Sequence, residues 1–166
     1  MGDFIGTTIS GMTGRGSIRH NNRSFSAANI DRSRTEQNVT YCNDDLKQVY
    51  HEIFDEALAA YNAKKKKTRD KITDYYEHIR QGKQEKLFHE AIFQIGNLED
   101  CGCGSPGGER AAAALKEFAE SFQERNPHLR VFNMVLHMDE ATPHLHVDYI
   151  PVATEQTRGL SVRVSM

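Results

Sequence analysis

The spacing of apolar residues along the chain predicts a series of helices and strands. Residues 3–12 are rich in β-branched side chains, which is typical of a short strand. Apolar residues between Leu46 and Tyr61 recur every three or four positions and describe one face of a helix. Shorter helices are predicted over 72–79 and 109–124, and the Gly- and Cys-rich stretch 96–108 is predicted to be a loop.

Extended segments are predicted over 39–42, 87–95, 129–137, 144–152 and 160–166. The two runs 129–137 and 144–152 flank a short turn in which Pro143 fixes φ, so they form a β-hairpin. Apolar residues point to both sides of these strands, which predicts that the hairpin lies centrally in the sheet. The element order predicts an α+β fold, a single domain over residues 1–166 in which a central antiparallel β-sheet is flanked by helices.

Three histidines are concentrated at the turn of this hairpin. His144 and His146 are two apart on one strand and share a face, and His137 ends the partner strand. Three converging imidazoles with an acid beside them, here Glu140, are typical of a divalent-metal site with an open position. From the residues alone, a chance cluster and a metal-free proton shuttle stay open as alternatives.

Composition narrows the class of protein. Of 166 residues, 38% are hydrophobic and 27% charged, and no apolar run is long enough to span a membrane. Three cysteines do not suggest a disulfide framework, and no signal peptide is evident, so we expect a cytoplasmic protein.

The net charge of −2 hides a basic amino-terminal half. Residues 1–34 hold five arginines against two acids, and residues 64–71 hold six basic residues against one acid. This distribution favours a local phosphate-binding surface. For the lysine run, a solvated helix end is an equally good interpretation.

Two polar stretches, 17–23 and 29–38, combine arginines, amides and hydroxyl groups. The first is predicted to be too polar for a core, and it contains His20, a candidate base or nucleophile. Its arginines can hold a phosphate in bidentate fashion. An exposed polar loop without function is the alternative.

The stretch from His137 to His146, with the following Val-Asp-Tyr-Ile-Pro, resembles the third motif of the Mob/Pre plasmid mobilisation relaxases, the MobV class of HUH-type single-strand endonucleases. Residues 17–23 resemble the first motif and 29–38 the second, and 158–161 resembles the segment after the core hairpin. The resemblance covers nearly the whole chain. It implies a relaxase catalytic domain that is the amino-terminal part of a longer protein. Dimerisation through a carboxyl-terminal region beyond residue 166 is left open.

The resemblance implies a metal-dependent enzyme that nicks one strand of origin-of-transfer DNA, stays attached to the 5′ phosphate and later rejoins the strand. Its partner would be single-stranded or hairpin DNA. His137, His144 and His146 would hold the metal. Imidazole ligands and the family together favour Mn²⁺, with Mg²⁺ and Zn²⁺ as alternatives.

The resemblance also implies that His20 is the nucleophile, with Arg23 and Glu140 completing the catalytic set. Tyr41, just after the second motif, is the rival nucleophile. Six residues are predicted to contact DNA: Arg19, Asn21, Asn22, Arg32, Arg34 and Asn38.

Two other classes of protein remain as alternatives. A metallohydrolase of small phosphoesters fits the histidines, but the polar stretch 15–38 is too extended for a small substrate. The other class is a replication initiator or a non-catalytic DNA-binding module of the same fold. Either would bind an origin hairpin, but the non-catalytic module would leave it uncut.

Overall fold

The computed structural model describes residues 8–25 and 27–165 of the chain. The predicted strand 3–12 is described only from residue 8 onward, and its first part lies outside the described residues. Among the described residues the strands are β1 Ile9–Thr13, β2 Val39–Asn43, β3 His89–Ile95, β4 Leu129–His137, β5 His144–Ala153 and β6 Arg163–Val164.

These strands form an antiparallel sheet of order β1-β3-β5-β4-β2, in which β6 pairs with β5 off the main path. The hairpin β4–β5 therefore lies at the centre, as the apolar residues on both of its faces predict. The predicted α+β class with a central antiparallel sheet is confirmed.

The helices are α1 Ile18–Asn21, α2 Leu46–Ala63, α3 Tyr75–Gln81, α4 Leu98–Cys101, α5 Pro106–Glu120 and α6 Phe122–Arg125, with 3-10 turns at Arg32–Gln37 and Thr68–Asp70. Within the described ranges, none of the helices has the length and apolar character needed to cross a membrane.

The helices cover the two faces of the sheet with separate cores. On one face α2 and α3 pack against Phe132 and Ile150, which are 1% and 0% exposed. On the other face α5 and α6 pack against Leu145 and Val147. Burial of each such side chain contributes about 1.5–3 kcal/mol. Because side chains alternate along β5, the face opposite Leu145 carries His144 and His146.

The prediction that 96–108 is a loop is wrong in part. Helix α5 begins at Pro106, because the Ser105 side chain accepts from Gly108 N and Pro is favoured at the first helical position. Cys103 N donates to the carbonyl of Ala141 at 2.9 Å. The segment is therefore folded against the turn of the β4–β5 hairpin.

Boundaries of two helices also differ from the prediction, and the extended segment predicted over 160–166 is a strand only at Arg163–Val164. Helix α3 begins at Tyr75, not at residue 72, because Asp74 caps it and the backbone of Ile72 is bonded through both N–H and C=O to the Asn62 side chain. The predicted helix 109–124 is interrupted at Ser121, which separates α5 from α6.

Candidate active site

The three hairpin histidines converge on one point of the sheet. His137 pairs with His144 across the β4–β5 ladder, and His146 lies two residues further along β5 on the same face. The ring centroid of His137 lies 5.1 Å from that of His144 and 4.5 Å from that of His146. The distance between His137 Nδ1 and His144 Nε2 is 3.3 Å. The convergence predicted from the spacing is present.

Each of these rings has one nitrogen engaged by a protein acceptor. The contacts are His137 Nε2 to the Asn21 carbonyl at 2.7 Å, His144 Nδ1 to the Thr142 carbonyl at 2.8 Å, and His146 Nδ1 to Glu90 Oε2 at 3.0 Å. A carbonyl or carboxylate oxygen only accepts, so the engaged nitrogen carries the proton in each ring. In a neutral ring the other nitrogen then presents a lone pair.

The tautomers assigned in this way make the cluster suited to a cation. His137 Nδ1 and His144 Nε2 face each other with lone pairs and cannot form a hydrogen bond. His146 Nε2 is buried and has no hydrogen-bond partner among the described residues. Burial lowers the pKa of His137 to about 3 and also lowers the pKa of His144, which keeps both rings neutral and able to ligate. Three fixed imidazole donors with a protein acceptor behind each are a typical metal-ligand set.

His20 is brought beside this cluster by α1. The Ser17 hydroxyl accepts from His20 N and starts the helix. The His20 ring centroid lies 5.9 Å from that of His137 and 6.1 Å from that of His146. Its Nε2 lies 3.5 Å from Glu140 Oε1, and 25% of its side chain is exposed. His20, Glu140, His144 and His146 line one open cavity of about 320 Å³.

Arg23 joins the amino-terminal segment to the hairpin turn. Its guanidinium donates to both Asp139 oxygens, at 2.9 and 2.6 Å, and to Glu140 Oε1 at 2.7 Å. Its Nη1 lies 2.9 Å from the His20 carbonyl and 3.4 Å from His20 Nε2. Arg23 has a φ of 55°, a left-handed conformation that costs a non-glycine residue about 1–2 kcal/mol.

Asp139 is an organising residue that the sequence interpretation treated only as part of a turn. Its side chain is fully buried and also accepts from Thr35 Oγ1 and Asn38 Nδ2, each at 2.9 Å. Burial alone would raise the pKa of Asp139, but these donors and Arg23 lower it. The carboxylate thus ties both polar stretches to the hairpin. The backbone contributes as well, since Asp31 N donates to the Asp139 carbonyl at 2.7 Å.

Tyr41, the rival nucleophile, is on the wrong face of the sheet. It packs against the core of α5 and α6, on the side of Leu145 and Val147, and so away from the histidines. Burial raises its pKa, which disfavours the phenolate. No tyrosine is among the described residues that line the cavity at His20.

The residues predicted to bind DNA divide into two groups. Arg19 and Arg32 are exposed, and Asn22 is half-buried and donates to Asn43. Arg34 pairs with Asp31 at 3.0 Å and donates to the carbonyl of Glu140. These positions are compatible with a DNA-facing surface.

Asn21 and Asn38 do not fit the prediction of DNA contact. Asn21 is 1% exposed, and its side-chain amide donates to Glu90 and to Asp148. Asn38 donates to Asp139 and accepts from Met138 N at 2.7 Å. The idea that residues 17–23 are too polar for burial is wrong at Asn21, because buried acids satisfy its amide.

Sequence reasoning missed a buried polar group behind the histidines. Glu90 and Asp148 are 5% and 0% exposed, and Asn133 donates to Asp148 at 2.8 Å. Hydrogen bonds from His146 and Asn21 lower the pKa of Glu90 to about 2 even though burial opposes this. Burial and the neighbouring Glu90 raise the pKa of Asp148 to about 6. One sequence signal could have identified Asp148: it lies two residues after His146 on β5, so strand alternation places it on the same face as His144 and His146.

Comparison with known proteins identifies the class. The family model described as plasmid recombination enzyme (Mob/Pre) matches residues 18–164. The chain therefore belongs to the Mob/Pre family of plasmid recombination enzymes, as its three motifs indicate. A search of curated proteins found no match.

Solved structures similar to this chain include the MobM relaxase domain bound to 22-nucleotide origin-of-transfer DNA of plasmid pMV158, in a manganese-bound crystal at pH 5.5. It is 23% identical, with 93% of this chain and 73% of that chain covered and a TM-score of 0.45. A second manganese-bound crystal of the same domain and DNA, at pH 4.6, is 20% identical, with 90% and 73% covered and a TM-score of 0.47.

Proposed function

We propose that this chain is a DNA relaxase domain that nicks one strand of origin-of-transfer DNA, stays attached to the 5′ phosphate through His20, and rejoins the strand. The observation that carries the proposal is the placement of His20 beside three histidine rings whose centroids lie 4.5–5.1 Å from one another. Membership of the Mob/Pre family supports a DNA substrate and a role in plasmid mobilisation. With DNA as substrate, we place the activity in the cytoplasm.

His20 forms the covalent bond to the DNA in this step. A ring nitrogen attacks the scissile phosphorus, a P–N bond forms, and the P–O3′ bond breaks. The 3′ oxygen leaves and takes up, through water, the proton that the phosphorylated imidazolium gives up, so the products are a 3′ hydroxyl and a neutral-ring phosphoramidate. A phosphoramidate is higher in energy than a phosphodiester, and attack by the 3′ hydroxyl restores the strand and frees His20.

Glu140 and Arg23 supply the electrostatics of this step. Glu140 Oε1, 3.5 Å from His20 Nε2, stabilises the positive charge that the imidazole acquires as it attacks. Arg23, fixed by Asp139, places a guanidinium 3.4 Å from the same ring, where extra negative charge develops on the phosphoryl oxygens.

His137, His144 and His146 would hold the metal, with Glu140 adjacent to them. Ligand atoms of His137, His144 and Glu140 lie within 4.8 Å of one another, and so do those of His137, His146 and His20. Nitrogen donors favour Mn²⁺ or Zn²⁺ over Mg²⁺ as the fitting ion, and we propose Mn²⁺. When bound, the ion would act as a Lewis acid that withdraws charge from the scissile phosphate.

Arg19 and Arg32 are the proposed phosphate contacts outside the cavity that His20 lines, because both are exposed on the polar stretches 17–23 and 29–38. Asn22 and Arg34 lie on the same segments and are proposed to contact DNA beside them.

The test uses a single strand from the origin of the plasmid that encodes the protein. The wild type with Mn²⁺ is expected to form a covalent protein–DNA adduct, and His20→Ala is expected to form none. His78→Ala removes a histidine remote from the site and serves as the matched control. An adduct in His20→Ala at the wild-type level would overturn the proposal.

A further inference from the structure

A second cavity adjoins the proposed nucleophile through Phe25, whose ring is a neighbour of the His20 ring. It has a volume of about 420 Å³, within the roughly 300–1,000 Å³ range of small-molecule sites. Its lining residues are Arg23, Ser24, Phe25, Ile30, Arg32 and Thr35. Two residues with apolar side chains and two arginines thus line one space.

Phe25 is the unusual residue of this cavity. Its side chain is 44% exposed, and its ring centroid lies 5.8 Å from that of His20. A single exposed apolar residue needs no explanation by itself. Here the exposed ring stands next to the proposed nucleophile, in a cavity that Arg23 and Arg32 also line, so its position is what indicates a ligand.

The walls of the cavity are fixed by the hairpin turn. Arg23 is bound to Asp139, and Thr35 Oγ1 donates to the same carboxylate. Ile30 N donates to the Ala27 carbonyl, and the next residue, Asp31, is bonded to the Asp139 backbone. The space is therefore preformed and does not depend on a ligand to organise it.

A nucleotide has the chemistry that this cavity matches. Its base offers an aromatic face for stacking on Phe25 and contact with Ile30, and its phosphate is complementary to the Arg32 side chain that lines the cavity. We propose that the cavity binds the base of the nucleotide adjoining the scissile phosphate, with Phe25 as the stacking platform. The proposal rests on the relaxase function proposed above and names the site that holds the substrate strand at the nick.

Binding of this base would position the scissile phosphate. With the base stacked on Phe25, the adjoining phosphate lies toward His20, since the two rings are neighbours. Phe25 is therefore proposed as a residue that binds substrate rather than one that takes part in bond cleavage.

The test is a thermodynamic cycle measured by fluorescence anisotropy. The probes are a labelled oligothymidylate and a strand of equal length made of abasic deoxyribose phosphates. The proteins are the wild type, Phe25→Ala, Phe25→Trp and Ile9→Ala. Ile9 is a matched control because it is 49% exposed and its Cα partner is Ile95, in the core opposite the site.

Phe25→Ala is expected to bind oligothymidylate about 5- to 150-fold more weakly, the range for loss of one base–aromatic stack, and to bind the abasic strand like the wild type. Phe25→Trp and Ile9→Ala are expected to bind both probes like the wild type. Equal weakening of both probes by Phe25→Ala, or no weakening of either, would overturn the base site. Far-ultraviolet circular dichroism identifies any variant that fails to fold. If Phe25→Ala does not fold, Phe25→Trp decides the outcome. Unchanged oligothymidylate binding by Phe25→Trp supports the stack, and loss of binding to both probes contradicts it.

Adduct formation on the origin strand is measured separately, which distinguishes the two proposals. One outcome is that Phe25→Ala weakens oligothymidylate binding alone, but the wild type forms no adduct. This outcome refutes the nicking chemistry and still supports the base site. The other outcome is that the wild type forms the adduct, but Phe25→Ala does not selectively weaken oligothymidylate binding. This outcome refutes the base site alone.

Discussion

His137 Nδ1 lies 3.3 Å from His144 Nε2, and both atoms carry lone pairs because the opposite nitrogens donate to backbone carbonyls. Two neutral imidazoles in this arrangement repel each other unless a cation lies between them. The fold supports the arrangement through the central hairpin, whose register places the two histidines side by side. The metal dependence of the proposed reaction therefore has its origin in backbone hydrogen bonds.

Metal binding is expected to stabilise the protein through these histidines. At a Mn²⁺ concentration about 100-fold above the dissociation constant, the melting temperature should rise by about 5–10 °C. His144→Ala should abolish the rise, and His78→Ala should retain it. Differential scanning fluorimetry with and without a chelator measures the effect, and an unchanged rise in His144→Ala would contradict the proposed ligand set.

Glu90 is expected to tune metal affinity without touching the metal. It accepts from His146 Nδ1 at 3.0 Å and so fixes the tautomer that presents Nε2. Glu90→Gln should weaken Mn²⁺ binding about 10- to 100-fold, the usual effect of losing such a partner. Isothermal titration calorimetry measures this, with Glu77→Gln as control, because the partly exposed Glu77 side chain pairs with Arg80 on helix α3. Equal affinities in the two variants would rule out the role.

Asp139→Asn is expected to destabilise the fold strongly. The substitution leaves the Arg23 guanidinium, whose side chain is 11% exposed, without its main partner, and breaking a buried pair on one side costs about 3 kcal/mol or more. Asp55→Asn, which breaks an exposed pair with His51, should leave the free energy of unfolding nearly unchanged. Urea titration gives both values, and a small effect of Asp139→Asn would show that Asp139 does not organise the site.

Gly107→Ala is expected to disturb the segment that packs on the hairpin turn. A Cβ at Gly107 would lie 1.8 Å from the carbonyl oxygen of Asp100, so the backbone must shift. Such overpacking costs about 1–3 kcal/mol. Gly82→Ala, where the nearest atom is 3.3 Å away, should cost less. Comparable urea midpoints for the two variants would contradict the tight packing.

The sequence predicts the parts of this site that follow from local periodicity. Strand alternation is enough to place His144 and His146 on one face, and the turn at Pro143 returns the chain so that His137 meets them. Motif resemblance then selects His20. Ser105 followed by Pro106 is also a local signal for a helix start, but the surrounding glycines led to the prediction of a loop.

The remainder depends on contacts between residues distant in sequence. Glu90 reaches His146 because β3 pairs with β5, a neighbour relationship that the periodicity of either strand does not specify. Asn21 is buried because Glu90 and Asp148 satisfy its amide, which no property of residues 17–23 reveals. Polar composition therefore predicts the exposure of Arg19, but not the burial of Asn21 or the contact of Asn38 with Asp139.

The most direct test of the central claim is the chemical identity of the protein–DNA link. Adduct formed by the wild type on its own origin strand is digested, and the linked peptide is mapped by mass spectrometry with and without acid treatment. We expect an acid-labile phosphoramidate on His20, present in Tyr41→Phe and absent in His20→Ala. An acid-stable link that maps to a tyrosine, or an adduct that persists in His20→Ala, would contradict the account.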